Sequence, residues 1–226
     1  MAHSKRFNEL KKLIDPKKSY PLAEAVELIK KTASTKFDST IELHFRLGID
    51  PQKGDQQVRG TVTLPHGSGK TKKIAAFVTG EKTKEAAEAG ADLVGAEDLI
   101  ETIVKTGKIE FDIAVATPEM MPKLAKAAKV LGPKGLMPNP KTDTVGVNVK
   151  KMIEELKKGK VSFKNDDTAN IHVAIVKASF AADKLAENIQ AVIDALSRSK
   201  PASAKGVYFQ NIALTSSMGP AVKIQI

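Results

Sequence analysis

The sequence predicts an α/β protein in two parts: an α+β domain split between the two ends of the chain, and a βαβ domain inserted between them. Two observations carry this. In residues 1–67 and 159–226, strands with one apolar face accompany amphipathic helices. In residues 68–158, short wholly apolar runs alternate with helical patterns, as in a parallel sheet covered by helices. A chain of 226 residues suits such a division, and its apolar fraction of 42% is enough for packed cores.

The elements follow in order. Phe7, Leu10 and Ile14 recur at helical spacing in a short basic N-terminal segment. Pro21 opens a second helix with Leu22, Ala25, Val26 and Ile29 on one face. Ile41, Leu43, Phe45 and Leu47 alternate with Glu42, His44 and Arg46, the pattern of a half-buried strand. After a polar turn at 50–57, a second strand runs from Val58 to Leu64.

The middle then reads as strand 73–79, helix 81–89, strand 91–95, helix 96–106, strand 111–116, one helix 119–131 and another at 149–158. The return to the first texture brings strands at 160–164 and 171–177. A long helix follows at 181–199 with Leu185, Ile189, Val192 and Leu196 on one face, then a strand at 206–215. The segments 65–70 and 157–160 are the expected crossings between the two parts.

Formal net charge is +10. A surplus of that size points to a polyanionic partner, of which nucleic acid is the commonest; the bland alternative is a soluble protein that is simply basic. The split domain holds +7 of the excess. Cysteine is absent, so disulfides and thiolate metal sites are excluded. No apolar run reaches the roughly 18 residues of a membrane span. The basic N-terminal segment lacks the apolar stretch of a secretory signal, and Glu9 and Asp15 argue against a transit peptide. A cytoplasmic protein with no membrane partner is expected.

Several motifs invite chemistry. Gly67-Ser-Gly-Lys-Thr71 imitates a P-loop, but Leu64 stands where its first glycine belongs and a strand pattern follows instead of a helix. A crossing segment is the better reading. Gly132-Pro-Lys-Gly135 imitates the GXXG loop of a KH domain, yet Pro138 and Pro140 forbid the helix that must follow. That loop still combines glycines, which admit a close polyanion, with Lys134 and Lys141 and stiffening prolines. Otherwise it is a plain surface connection.

The histidines His3, His44, His66 and His172 have no metal-binding spacing, and no nucleophile motif occurs. No catalytic residue, metal or cofactor is expected, and His44 reads as a surface histidine. Aromatic content is 4%, too low for a base-stacking platform. An RNA partner would be recognised by shape, phosphates and ribose hydroxyls. Thr215-Ser-Ser-Met-Gly-Pro-Ala-Val222 offers hydroxyls, an adaptable thioether and a glycine permitting close approach; alone, it is equally a turn between edge strands.

Taken together, Asp55-Gln-Gln-Val-Arg-Gly60, Leu64-Pro-His-Gly67, Leu131-Gly-Pro-Lys-Gly-Leu-Met-Pro-Asn-Pro-Lys141, Lys205-Gly-Val-Tyr208 and Ser217-Met-Gly-Pro220 closely resemble the bacterial ribosomal protein L-one family, in its order and across nearly the whole chain. The resemblance implies that family's fold: a split α/β domain with an inserted Rossmann-like, three-layer α/β domain. It implies a non-enzymatic protein that binds large-subunit rRNA at the mobile stalk and contacts departing exit-site tRNA. It further implies repression of translation through a similar structure in the protein's own mRNA, and a monomer off the ribosome.

By motif match, the resemblance places RNA contacts on Lys36, Phe37, Thr40 and Glu42, on Lys164, Asp166 and Thr168, and on Ser217, Met218 and Gly219. Glu42 or Asp166 would accept from a 2′-hydroxyl or a base amino group. Gly132, Lys134, Gly135, Met137 and Lys141 would form a secondary RNA contact. Three positions depart from the family pattern. Ser217 stands where threonine is commoner, Ser39 where glutamate is, and Asp167 where a basic residue is. The alternatives are a nucleotide-using enzyme on the central unit, which lacks catalytic groups, and a translational repressor acting outside the ribosome.

Overall fold

The structure is a computed structural model that describes residues 4–80 and 82–225; His3 and Glu81, named above, lie outside them. In chain order the elements are α1 (Lys5–Lys11), α2 (Leu22–Thr32), β1 (Thr40–Leu47) and β2 (Arg59–Thr63), then β3 (Ile74–Phe77), α3 (Lys82–Glu88), β4 (Leu93–Gly95), α4 (Glu97–Thr106) and β5 (Ile113–Ala116). Next come α5 (Met121–Leu124), α6 (Ala128–Leu131) and α7 (Val149–Lys157), and finally β6 (Lys160–Lys164), β7 (Asn170–Lys177), α8 (Ala182–Arg198), β8 (Phe209–Ser216) and β9 (Val222–Lys223). The chain forms two compact units, Met1–Gly69 with Val161–Ile226, and Lys70–Lys160.

In the discontinuous unit, a four-stranded sheet runs in the order β7-β1-β8-β9. Its ladders are antiparallel. The alternation in β1 places Ile41, Leu43, Phe45 and Leu47 in one core with Val26 and Ile29 of α2 and Leu185, Ile189, Val192 and Leu196 of α8. Both helices therefore cover the same face of the sheet. The β2–β6 pair joins this core through Val62 and Phe163.

Two polar groups organise the unit. Asn188 sits fully buried on the apolar face of α8, accepts from the His66 N–H at 3.1 Å and donates to the Gly67 carbonyl at 3.0 Å. The buried Asn165 accepts from the Val58 N–H at 2.9 Å and donates to the Asp166 carbonyl at 3.0 Å. At the sheet edge, Tyr20 lies parallel beside Ile224, its N–H donating to the Lys223 carbonyl at 3.0 Å. Residues more than 200 positions apart in sequence thus share one edge.

The other unit has three layers. Its parallel sheet runs β4-β3-β5. Both faces of β3 are buried, so no polar alternation is needed. Ala75 and Phe77 pack with Ile100 and Ile103 of α4, and with Leu124 of α5 and Leu131 of α6. Ile74 and Ala76 pack with Ala86 of α3 and Val149 and Ile153 of α7. Gly107 ends α4 in the left-handed conformation, φ 66°, which glycine adopts without a Cβ clash.

The segment expected as one helix over 119–131 is not one. It is a 3-10 turn at Pro118–Met120, α5, a second 3-10 turn at Ala125–Ala127, and α6. Pro118 and Pro122 each stand at the start of a short helical piece, where a missing N–H is tolerated, so the segment restarts at Met121; no proline lies in the second 3-10 turn. Met120, Leu124, Ala127 and Leu131 nevertheless all reach the core, which keeps the apolar face intact. Val145 also adds an unforeseen parallel bridge to Ala116 at the edge of β5.

Asn165→Ala would leave the buried Val58 N–H without its partner. Chemical denaturation should show a loss of about 1–3 kcal/mol, the usual cost of an orphaned buried donor, whereas exposed Ser162→Ala should change little.

Candidate nucleic-acid interface

Because α2 and α8 both cover one face, the opposite face of the four-stranded sheet stays open to solvent. Its composition follows from the register. Ala174, Glu42 and Thr215 form one row across β7, β1 and β8; His172, His44 and Ala213 form the next; Asn170, Arg46 and Asn211 form the third. Nearly all are polar and none is buried. The predicted primary contacts fall at the two ends of this face.

At the first end, the sheet closes on itself. The Thr40 N–H donates to Ser217 Oγ at 3.1 Å, and the Ser217 N–H donates to the Thr40 carbonyl at 3.0 Å. The Ser217 hydroxyl is thus a strand clamp. Thr40 itself is buried, and its hydroxyl accepts from Lys177 Nζ at 3.3 Å.

Beyond the clamp, Met218 takes a left-handed backbone, φ 59°, with 71% of the residue exposed. An exposed thioether on a strained non-glycine backbone is unusual. Arg6 donates to the Met218 carbonyl at 3.0 Å and to Ser34 Oγ at 3.3 Å, tying α1 to this turn. A Cβ on Gly219 would come within 2.2 Å of Ser216 Oγ, so the glycine is needed for packing inside the turn. Phe37 is also half exposed, and Lys36 is exposed. Their loop is pinned where Asp38 accepts from the Ser179 N–H and hydroxyl at 3.1 and 2.9 Å.

At the other end, Asp166 folds a tight loop. Oδ1 accepts from the N–H groups of Thr168 and Asn170 at 2.9 and 2.7 Å, and Oδ2 accepts from the Thr168 hydroxyl at 2.9 Å. Partial burial pushes this carboxyl up, but the hydrogen bonds from Asn170 and Thr168 outweigh it and hold it at about 2. Asp166 and Thr168 therefore serve first to build the loop. Lys164 stands exposed beside it, as does Asp167. Glu42 is more available: 44% of its side chain is exposed and His44 Nε2 stands 3.9 Å away.

Sequence reasoning named the ends and passed over what lies between. His44 and His172 face each other across the strands, with Nδ1 atoms 2.7 Å apart. Arg46 joins the face and donates to Gln210 at 3.2 Å. The period-2 pattern that exposes Glu42 also exposes His44 and Arg46, so that signal was present. The pairing with His172 depends on register across 128 residues, which no local pattern carries.

In the central unit, the proline-rich loop leaves Gly132, Lys134, Gly135 and Lys141 exposed. Met137 instead packs with Leu136 against the core, which explains the apolar pair in so polar a segment. Asn139 stiffens the loop, accepting from the Lys141 N–H at 2.9 Å, and Lys160 anchors it to Asp143 at 3.0 Å. Among the described residues, no group of three or more histidines and carboxylates could hold a metal ion, and no helix is long and apolar enough to cross a membrane.

Asp166→Asn puts an amide donor against groups that donate. With the carboxyl at about 2 in the folded chain and 3.8 ordinarily, its stabilisation is complete above the higher value and fades as pH falls through the lower. Urea unfolding should find the variant weaker near neutrality and the gap closing between those two values. A gap independent of pH would show that the carboxylate's charge is irrelevant to the loop.

Comparison with known proteins agrees with this geometry. The model of the ribosomal protein L1p/L10e family matches residues 29–220. The chain is also similar to the large ribosomal subunit protein uL1 of Mesoplasma florum, 53% identical over 223 residues, covering 99% of this chain and 98% of that protein. Members of this family are structural and not enzymes, which removes the nucleotide-using alternative. With a matching α/β architecture and similarity across nearly its full length, the chain belongs to the ribosomal protein L1p/L10e family.

Proposed function

We propose that this protein is a structural constituent of the large ribosomal subunit. In this reading, the discontinuous domain, residues 1–67 and 159–226, holds large-subunit rRNA at the mobile stalk against its open sheet face. The inserted domain, residues 68–158, adds a secondary contact through the exposed part of its proline-rich loop. The observation that carries this reading is the preformed end of the sheet. The Thr40–Ser217 clamp fixes a turn that offers Met218 and the backbone of Gly219 beside Glu42.

Such a surface suits a folded RNA better than a bare polyanion. It is rigid before binding, so little ordering entropy is lost. It carries acceptors and a methionine alongside lysines, and a carboxylate rewards hydroxyl or amino donors while repelling unmatched phosphate. Family membership and the basic charge support the same partner. The protein would work in the cytoplasm on the ribosome and be monomeric when free of it.

Two finer roles belong to the proposal. On the ribosome, the protein would help release tRNA from the exit site. Away from it, the same face would bind a similar structure in the protein's own mRNA and repress its translation. Competition between rRNA and that mRNA for a single site would link the protein's synthesis to the supply of rRNA.

The deciding experiment is filter binding of stalk rRNA and of an unrelated duplex of equal length at physiological salt. A clear preference for stalk rRNA is expected; equal retention would reject the reading. Met218→Asp should weaken stalk binding by about 1–3 kcal/mol, the range for losing one specific contact, and by more than Lys73→Ala. If roughly four phosphates are neutralised, log affinity should fall against log salt with a slope of about −3 to −4. A flat response would mean phosphates contribute little.

A further inference from the structure

The centre of the open face holds a group that the motif-matched contacts leave out. His44 and His172 are register partners on neighbouring strands, their rings edge to face with centroids 4.9 Å apart. Two Nδ1 atoms at 2.7 Å require a proton between them, one ring donating and the other accepting. One proton added to this neutral pair charges the donor ring at its Nε2 and keeps the bond; a second, on the acceptor's Nδ1, makes both atoms donors. Their hydrogen bond is then lost, and two positive rings lie side by side.

The surroundings set how hard that second protonation is. On β1, Glu42 lies 3.9 Å from His44 Nε2, and Arg46 is two residues along the same face. On β8, the Thr215 hydroxyl meets His44 Nε2 at 2.8 Å, with Ala213 and Asn211 in the neighbouring rows. On β9, Lys223 is the register partner of Ala213. Beside β7, Asp166 Oδ2 is 3.7 Å from His172 Nε2, and Asn170 occupies the adjoining row. Two carboxylates thus face two cations, leaving the pair without net compensation for a second charge. Burial first, then the charge of His172, lower the affinity of His44 for a proton, and Glu42 recovers only part.

We propose that His44 and His172 form a proton-linked element of the RNA interface: a phosphate docked over the pair draws a second proton from solvent, so RNA binding takes up protons. The phosphate supplies the missing counter-charge, and each ring, its mutual bond broken, donates outward instead. His172 offers the open side, with 56% of its side chain exposed, and His44 supports it from beneath with 27%. The proposal rests on the RNA-binding reading and adds what the middle of the face contributes.

The test uses the full chain and a stalk rRNA fragment at fixed ionic strength, from about pH 8 to about pH 5.5, the span over which imidazoles titrate. Wild-type affinity should tighten as pH falls, approaching about tenfold per pH unit for one proton taken up. His44→Gln with His172→Gln should flatten that profile to whatever the RNA and the other groups contribute. Calorimetry in buffers of different ionisation heat should count more protons bound by wild type than by the double variant.

Thermal unfolding of the free proteins separates a folding defect from a binding one, and the His172→Gln single variant, more exposed, provides a second reading. Identical pH profiles and proton counts in wild type and variants would overturn the proposal. Failure of the underlying reading looks different: at about pH 8, where ordinary imidazoles are neutral, wild type would fail to prefer stalk rRNA over the unrelated duplex.

Discussion

The discontinuous unit depends on β1. One face of this strand, Ile41, Leu43, Phe45 and Leu47, lies in the core beneath α2 and α8, and each of its edges pairs with a strand that comes after the inserted unit. Shifting β1 by one residue would turn Glu42, His44 and Arg46 into the core. The cost of burying those charges fixes the register, and the register assembles the polar rows of the open face. The surface chemistry is therefore a by-product of the constraint that stabilises the fold.

The same economy appears in the turns. Ser217 closes the end of the sheet and in doing so presents Met218; Asp166 satisfies backbone donors and in doing so shapes the loop beside Lys164. Side chains that resemblance marks as binding groups are thus, in several cases, the ones that hold the backbone in place. Rigidity and recognition are not separable at these positions. A substitution at Ser217 or Asp166 that weakens binding would report lost shape as much as lost contact, while exposed Met218, Phe37 and Lys36 can report contact more directly.

Much of this was legible in the sequence where local periodicity decides structure. The alternation of β1, the apolar stripe of α8 and the strand–helix rhythm of the centre each arise from a single buried face or layer. What escaped was of two kinds. Local backbone geometry broke the expected helix at 119–131 into short α and 3-10 pieces, restarting at Met121 beside Pro122, while its apolar spacing still looks helical. Tertiary register produced the rest: the histidine pair, the docking of Val145 on β5 and the two-residue strand β9. At the Met218 turn, the glycine read as permitting close approach makes room for the Ser216 hydroxyl, and the positive φ falls on the methionine.

The Tyr20–Ile224 bridge has a consequence for how the molecule is made. A ribosome releases the chain in order, so Tyr20 and β1 emerge long before any strand able to pair with them. The central unit is contiguous and can close first, during elongation. The earlier segment must wait, with its apolar strand unprotected, until β7, β8 and β9 have left the exit tunnel. A nascent chain interrupted before β8 leaves one edge of β1 unpaired and never forms the polar rows that β8 completes.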